Sequence, residues 1–353
     1  MITFATQLGD LVSAIFRAAG SKPDEAACIS DHLVKANLSG HDSHGVIRVA
    51  EYMKWIQEGK VRANQQLDIV LKSDTLVVAD GQLGYGQALG VQAVKLGIDM
   101  SKRSATTVVA LRHCGHLGRM GHWAEMAADA GRISLHFATT NGFGTLMAPL
   151  GGIERRLSAN PVAIGIPRGE ADPILLDIST SAIAEGKLKV ARNKGTEVPA
   201  GCLLDAQGRP TTDPRQFYAD PPGSILPFGA HKGYGLSVLV EMLAGALTGN
   251  GCSHHRAPQL EQGMLSIYLN PQQFESPDGF LQEVNLFVDY LKSSLFDAQS
   301  TEILVPGEIE AKCRVQRMEH GIELDPITWE QLSAEAHRLE VNENLIQAAM
   351  ASN

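Results

Sequence analysis

Apolar residues at three- and four-residue spacing open the chain. Phe4, Leu8, Leu11, Val12, Ile15 and Phe16 recur on one helical face, and the pattern stops at Gly20. Ser21, then Pro23, Asp24 and Glu25, predict a second helix start: a capping hydroxyl, proline in the first turn, acids at the positive dipole end. That helix is expected to run to about Leu38 and stop at Gly40, and a third to run from about Ser43 through Val46, Val49 and Met53 to Gly59.

Beyond this the texture changes. Leu76–Ala79, Thr106–Leu111 and Ile133–Phe137 are short apolar runs rich in β-branched residues, hence strands. Helical stretches lie between them, at about 87–102 and 118–130. Strands are expected at 161–166 and 174–177, with a helix starting at Ser181. The segment 201–214 is rich in turn residues and predicts a surface crossing. Residues 233–247 are small or apolar nearly all round and predict a buried helix. A last strand at 265–269 precedes polar C-terminal helices. The pattern is mixed α/β, with helical ends that pack together.

Composition narrows the class. The chain has 353 residues, 44% hydrophobic and 20% charged, enough for a sizeable core and too apolar for disorder. Acids outnumber Lys and Arg by 39 to 30, so phosphate-driven nucleic-acid binding is not expected. The five cysteines never fall as CxxC, which favours a reducing compartment over a disulfide framework. Residues 1–6 lack a basic stretch leading into an apolar one, and no apolar run approaches the roughly 20 residues of a membrane span. A cytoplasmic location is expected.

Nucleotide signatures are weak. Gly84, Gly86 and Gly90 give GxGxxxG rather than GxGxxG, and Arg112 stands where a ribose-binding acid would end the next strand. No Walker loop is present. His113, Cys114, His116 and His122 fit no common zinc spacing, so no metal is expected.

Ser43-His44-Gly45-Val46-Ile47-Arg48 is more informative. On a helix His44 and Arg48 would share a face, one exchanging a proton near neutrality, the other forking onto a carboxylate. Such a pair suits a 2-oxo or 2-hydroxy acid. His116 follows a strand, where α/β proteins often place ligands. Asp177 to Ser181, and Phe228 to Gly235 with Lys232, offer an acid, hydroxyls and a cation at expected helix starts, suited to ribose and phosphate oxygens.

Taken in order, Ser43-His44-Gly45 with Arg48, His116 with Gly118, Ser158-Ala159-Asn160-Pro161, Asp177–Ser181, Pro210–Pro214, Lys232-Gly233-Tyr234 and Pro306-Gly307-Glu308 resemble the non-Rossmann malate/L-lactate dehydrogenase family over nearly the whole chain. Residues 36–45 look especially like the hydroxycarboxylate dehydrogenase B branch. The resemblance implies an α/β fold with a non-Rossmann nicotinamide-binding domain on a largely antiparallel sheet, and a homodimer with its active site near the subunit interface. Four regions are expected: helical 1–75 packing with helical 307–353, a substrate and interface region at 76–130, and the nicotinamide-binding domain at 131–306.

By the same resemblance His44 and His116 are the acid/base candidates, with Arg48 and Ser43 on the substrate. Thr140, Asn160, Asp177, Ile178, Ser179, Lys232, Pro306, Gly307 and Glu308 line the cofactor site. The expected activity is hydride transfer between NAD, or NADP, and C2 of a 2-hydroxy/2-oxo carboxylate. A cyclic imine reductase of the same family and a non-catalytic nucleotide-binding protein are the alternatives. Leu117 and Met120, just after His116, predict an apolar side-chain pocket and a preference for bulky apolar oxo acids over oxaloacetate.

Overall fold

The computed structural model describes residues 1–254 and 260–350. A short strand, β1 (Ile2–Thr3), leads into helices α1 (Ala5–Ala18) and α2 (Pro23–Leu38). Leu8, Leu11, Val12, Ile15 and Phe16 of α1 are wholly inaccessible, as their spacing requires. Pro23 takes the first position of α2, but Ser21 is not its cap: Lys22 holds that place, and the Ser21 hydroxyl is buried without a partner among the described residues.

The expected continuous helix over 43–59 is corrected. Two single 3₁₀ turns, Asp42–His44 and Val46–Arg48, come before α3 (Val49–Gln57). Asn37 at the end of α2 is the cause. Its Oδ1 accepts from the Val46 N–H at 2.9 Å and its Nδ2 donates to Asp42 at 2.7 Å. One side chain thus pins both turns, through the Val46 N–H and the Asp42 carboxylate. A Cβ at Gly45 would sit 2.1 Å from Asn37 Oδ1, so only glycine fits between the turns.

The middle of the chain runs β2 (Asp68–Lys72), β3 (Leu76–Asp80), α4 (Gly86–Ser101), β4 (Thr106–Cys114), α5 (Gly121–Asp129), β5 (Ile133–Asn141), β6 (Val162–Arg168) and β7 (Ala171–Ile178). The next helix, α6 (Glu185–Lys194), starts four residues later than the expected start at Ser181, because Thr180 bonds to Ala159 O and Ser181 bridges to Pro227. Then come β8 (Leu203–Leu204), β9 (Pro210–Thr211), β10 (Ser224–Ile225), α7 (His231–Val240) and β11 (Glu261–Leu269). The chain ends with α8 (Pro277–Lys292), α9 (Glu308–His320), β12 (Ile322–Glu323), α10 (Pro326–Arg338) and α11 (Glu343–Met350).

Seven strands form the main sheet in the order β2-β3-β4-β11-β5-β6-β7. Only β3 and β4 are parallel; every other pair is antiparallel, so the sheet is largely antiparallel as expected. Alternate residues of its strands reach opposite layers. Ala138 and Ala163 join the core with Trp123 of α5, while Phe137, Val162 and Ile164 meet Val240 and Ala244.

The expectation of a buried helix over 233–247 is corrected too. α7 passes into a π turn at Glu241–Ala246, and Leu239, Met242 and Leu247 are more than half exposed. Segment 201–214 is not mere surface: it carries β8 and β9, and Leu203 is wholly buried with Leu188, Met147 and Phe217 in a small core of its own. The two chain ends do pack together. Ile322, Leu332, Ala336 and Ile346 share one core with α1 and α2, and β1 pairs with β12.

Candidate active site

The Ser43–Arg48 turns and the loop after β4 meet face to face. The rings of His44 and His116 lie 5.6 Å apart between centroids and within 18° of parallel. Each ring is held at Nδ1. Ser43 Oγ is 3.0 Å from His44 Nδ1, and Tyr52 Oη is 2.6 Å from His116 Nδ1. Arg48 Nε donates to the carbonyl of Ser43 at 2.7 Å, which folds the guanidinium back along the turn. The helical spacing from which the sequence brought His44 and Arg48 together is absent, yet the kinked backbone still sets them in one cluster.

α9 braces the turn from behind. Arg317 pairs with Asp42 and donates to the Asn37 carbonyl, and the Glu310 carboxylate accepts from His41 Nε2 at 3.2 Å. On the open side stands the start of α6: a Cβ on Gly186 would lie 2.7 Å from Ser43 Cβ.

Burial sets the charge state. It pushes the His44 pKa down to about 3, with Arg48 adding to the effect. His116 is driven well below the ordinary imidazole value by burial and then by Arg48 and His44. Both rings are therefore neutral at neutral pH. Burial also holds the Tyr52 phenol protonated, while Gln87, wholly buried, donates to its oxygen at 2.8 Å.

A second group gathers at the far end of β5, β6 and β7. Ser158 Oγ accepts from Thr140 N–H, and Thr180 donates to Ala159 O from both backbone and hydroxyl. Phe228 N–H in turn donates to Thr180 O, bringing the approach to Lys232 alongside. Leu175 N–H donates to Pro306 O, which sets Gly307 and Glu308 beside β7. Lys232 is exposed in the first turn of α7. Just before it, Gly229 and Ala230 line a cleft of about 390 Å³ walled by Pro149, Leu150, Ile153 and Pro227.

Three side chains of this group point inward. Asn160 is wholly buried at φ 35°; its Oδ1 accepts from Thr139 and Ser158, and its Nδ2 donates to Ser237 and Glu241. Asp177 accepts from Gly121 N–H at 2.8 Å, with Arg119 Nε 3.7 Å away. Glu308 is tied to Lys292 and to Val305 N–H. Ile178 and Ser179 follow Asp177, and the Ser179 hydroxyl meets that of Ser181 at 2.9 Å.

Sequence reasoning missed Tyr52, Gln87, Gly186 and Gln262. Gln262 ties the two groups: its Oε1 accepts from Leu117 N–H, beside His116, and its Nε2 donates to Thr140 Oγ1 at 2.6 Å. A bulge in β11 between Gln262 and Met264 aims it there. Tyr52 sits one turn beyond Arg48, so an aromatic at i+4 was the available signal. Nothing in the sequence marks Gln262. The expected apolar pocket is corrected: Leu117 and Met120 are buried in the core beneath the sheet, not facing a cleft. Among the described residues no cluster of His, Cys, Asp and Glu could hold a metal ion, and no helix is long and apolar enough to cross a membrane.

A largely antiparallel sheet, with two stacked histidines and an arginine clustered beside it, sets this fold apart from the parallel GxGxxG nucleotide folds. The chain belongs to the malate/L-lactate dehydrogenase family, whose model matches residues 4–333. It is 38% identical to hydroxycarboxylate dehydrogenase B of Escherichia coli (strain K12), over 98% of this chain and 96% of that protein. The solved L-sulfolactate dehydrogenase of Methanocaldococcus jannaschii superposes with a TM-score of 0.87 at 33% identity, covering 99% of this chain and 100% of the other. The delta1-piperideine-2-carboxylate reductase of Pseudomonas syringae superposes with a TM-score of 0.83 at 29% identity, over 95% and 100%. The chain is thus an oxidoreductase of the hydroxycarboxylate dehydrogenase family, which implies a nicotinamide cofactor and a small hydroxy- or oxo-acid substrate.

Proposed function

We propose that the protein interconverts a 2-oxo and a 2-hydroxy carboxylate with NAD as hydride partner, using His44 and His116 for the proton and Arg48 for the carboxylate. The stacking of His44 on His116, both anchored at Nδ1 and next to Arg48, carries this reading. Anchoring both rings at Nδ1 leaves each Nε2 to meet the C2 oxygen. Arg48 uses Nε on Ser43 O, so its two terminal nitrogens stay available to fork onto a carboxylate. Docking that carboxylate offsets the Arg48 charge, which adds to burial in depressing both histidine pKa values. Substrate binding therefore raises the proton affinity of the rings as a proton becomes needed. Ser43 keeps the His44 ring oriented during the transfer.

The second group fits a dinucleotide. Backbone-rich loops, hydroxyls of Ser179 and Ser181, and Lys232 at a helix start suit ribose and pyrophosphate oxygens. Thr140, Ile178, Pro306 and Gly307 would flank it, with Asn160 fixing the wall from within. Bound there, the nicotinamide supplies or accepts the hydride at C2. NAD is favoured over NADP because the cations beside these acids are already engaged, Lys292 by Glu308 and Arg119 by Asp177, which leaves little besides Lys232 to attract a 2′-phosphate.

A second reading, reduction of a cyclic imine acid, is supported by the likeness to the piperideine-carboxylate reductase. Following NADH and NADPH oxidation with a panel of 2-oxo acids and one cyclic imine acid tests both. Turnover of the oxo acids is expected, and turnover of the imine alone selects the second reading. A tenfold preference for NADPH in kcat/KM overturns the cofactor choice.

Residues 131–306 form the proposed cofactor region, 76–130 the substrate and interface region, and 1–75 with 307–353 the supporting helices. A cytoplasmic homodimer completes the proposal. Along α8 and just beyond it Leu286, Phe287, Tyr290 and Leu295 are 52%, 58%, 73% and 93% exposed, an apolar stripe suited to burial against a second copy. Sedimentation equilibrium of the purified chain should give twice the 37.8 kDa monomer mass.

A further inference from the structure

α2 reaches both halves of the histidine pair. Asn37, near its end, pins the 3₁₀ turns around His44 through the Val46 N–H and the Asp42 carboxylate. Five residues earlier on the same helix, His32 Nε2 accepts from the Arg119 N–H at 2.9 Å, just beyond His116. Both residues are 1% exposed. At 1.5 Å per residue the two anchors stand about 7.5 Å apart along one stiff axis.

The loop after β4 is held by its backbone. Alternate N–H groups go to four separate elements: Gly115 to Gly84 O, Leu117 to Gln262, Arg119 to His32 and Gly121 to Asp177. His116 lies between the first two ties. Gly118, at φ 72°, bends the chain between the second and the third. His32 acts at that bend twice. Its Nε2 takes the Arg119 N–H, and its ring fills the space over Gly118, where a Cβ would lie 2.1 Å from Nε2. The ring packs in turn against His122 and Trp123, with centroids 4.7 and 4.8 Å away. Because a backbone N–H only donates, Nε2 carries no hydrogen and the ring is neutral. Burial first, then the nearby His122, His116, Arg119 and His44, favour that state.

Resting on the proposed role of His116, we infer that His32 is a positioning residue: its ring holds the bend at Gly118 and Arg119 and so keeps His116 stacked on His44. α2 then gauges the pair, with Asn37 setting one ring and His32 the other. So deeply enclosed a side chain meets no ligand itself and acts only through the loop.

The deciding experiment compares the wild type with His32→Gln and His32→Leu. Glutamine carries a carbonyl oxygen to about the reach of Nε2 and still accepts from Arg119, whereas leucine fills similar space and strands that N–H. With a 2-oxo acid, His32→Leu should lose about tenfold or more in kcat with a much smaller change in KM, and His32→Gln should recover most of that loss. Equal losses in the two variants, or a lower melting temperature with normal kcat, would overturn the inference. In a His116→Asn background His32→Leu should cost little more, because both changes act on one ring; an undiminished loss there overturns it as well. If His32→Leu does not fold, His32→Asn, whose amide stops short of the Arg119 N–H, replaces it. Hydrogen exchange over residues 115–121 separates this inference from the reaction it rests on. Turnover as fast as wild type in His116→Asn, or no turnover of any oxo acid, removes the proposed reaction. Faster exchange in His32→Leu, restored in His32→Gln, still supports the hold of His32 on the loop, and wild-type exchange in His32→Leu defeats it.

Discussion

Tyr52 Oη lies 2.6 Å from His116 Nδ1, and Gln87 Nε2 donates to the same oxygen. Because burial keeps the phenol protonated and its lone pairs already receive Gln87, the phenol hydrogen points to His116 Nδ1. That contact leaves the imidazole hydrogen on Nε2, the nitrogen offered to substrate. The phenol selects the tautomer through geometry alone, with no charge in the chain.

Tyr52→Phe removes the hydroxyl and leaves both Gln87 Nε2 and His116 Nδ1 without their partner. Stability should fall by about 1–3 kcal/mol, the usual cost of stranding buried polar groups. If the phenol sets the tautomer, kcat falls by roughly tenfold or more and the pH profile of kcat shifts, since His116 is freed to hold its hydrogen on either nitrogen. An unshifted profile with only a lower melting temperature would reduce Tyr52 to a packing residue.

Substrate binding should leave both rings neutral. Burial is the main cause of their lowered pKa values, and a bound carboxylate offsets only the smaller Arg48 share. Calorimetry of a 2-oxo acid at about pH 7 in two buffers of different ionisation enthalpy should show little net proton uptake in the wild type and in His44→Asn. The same variant should lower kcat by about 10²–10⁴, the range for losing an acid/base group. Near-normal turnover in His44→Asn and, separately, in His116→Asn would remove the pair from the reaction.

Gly186→Ala places a Cβ 2.7 Å from Ser43 Cβ. Backbone must shift, because Ser43 is held by its neighbours on the 3₁₀ turn. The expected result is a raised KM and lowered kcat with little change in melting temperature, as α6 is displaced from the cleft while its buried side stays in place. A variant as active as the wild type would show that α6 does not border the site.

Gln262→Ala cuts the link between Leu117 and Thr140. The loop carrying His116 then loses its register to the cofactor wall. We expect kcat to drop about tenfold or more, with a smaller change in KM for either substrate. Stopped-flow measurement of the reduced-nicotinamide signal would separate a slower chemical step from weaker binding.

Acid should destabilise the fold well above the carboxylate range. His136 is wholly buried between Ser134 and Ser266, and burial lowers its pKa to about 3. The unfolded ring takes a proton below about pH 6.5 while the native one does not. Stability is thus intact above that pH and is lost as pH falls from 6.5 toward 3. At pH 5 this residue alone removes about 2 kcal/mol. His32 and His122, lowered by burial as well, act in the same direction. Urea midpoints measured from pH 7.5 to 5 should decline, and His136→Gln should flatten the curve. A flat wild-type curve would contradict the buried neutral state.

By itself the sequence determined the elements with clear periodicity and the order of the chemistry-bearing motifs. The α1 face, the proline start of α2 and the β-branched strands were legible because helix and strand periods are local properties of the chain. Ser43, His44, Arg48 and His116 stood out by residue type. Tertiary structure alone decided the rest. It broke the third helix where Asn37, on a neighbouring element, accepts from the Val46 N–H and donates to the Asp42 carboxylate. It inserted β11 between β4 and β5, a pairing across 120 residues or more that no local pattern encodes. It sent Leu117 and Met120 into the core and brought Tyr52, Gln262 and Gly186 to the site, because contacts between distant segments depend on which layers stack.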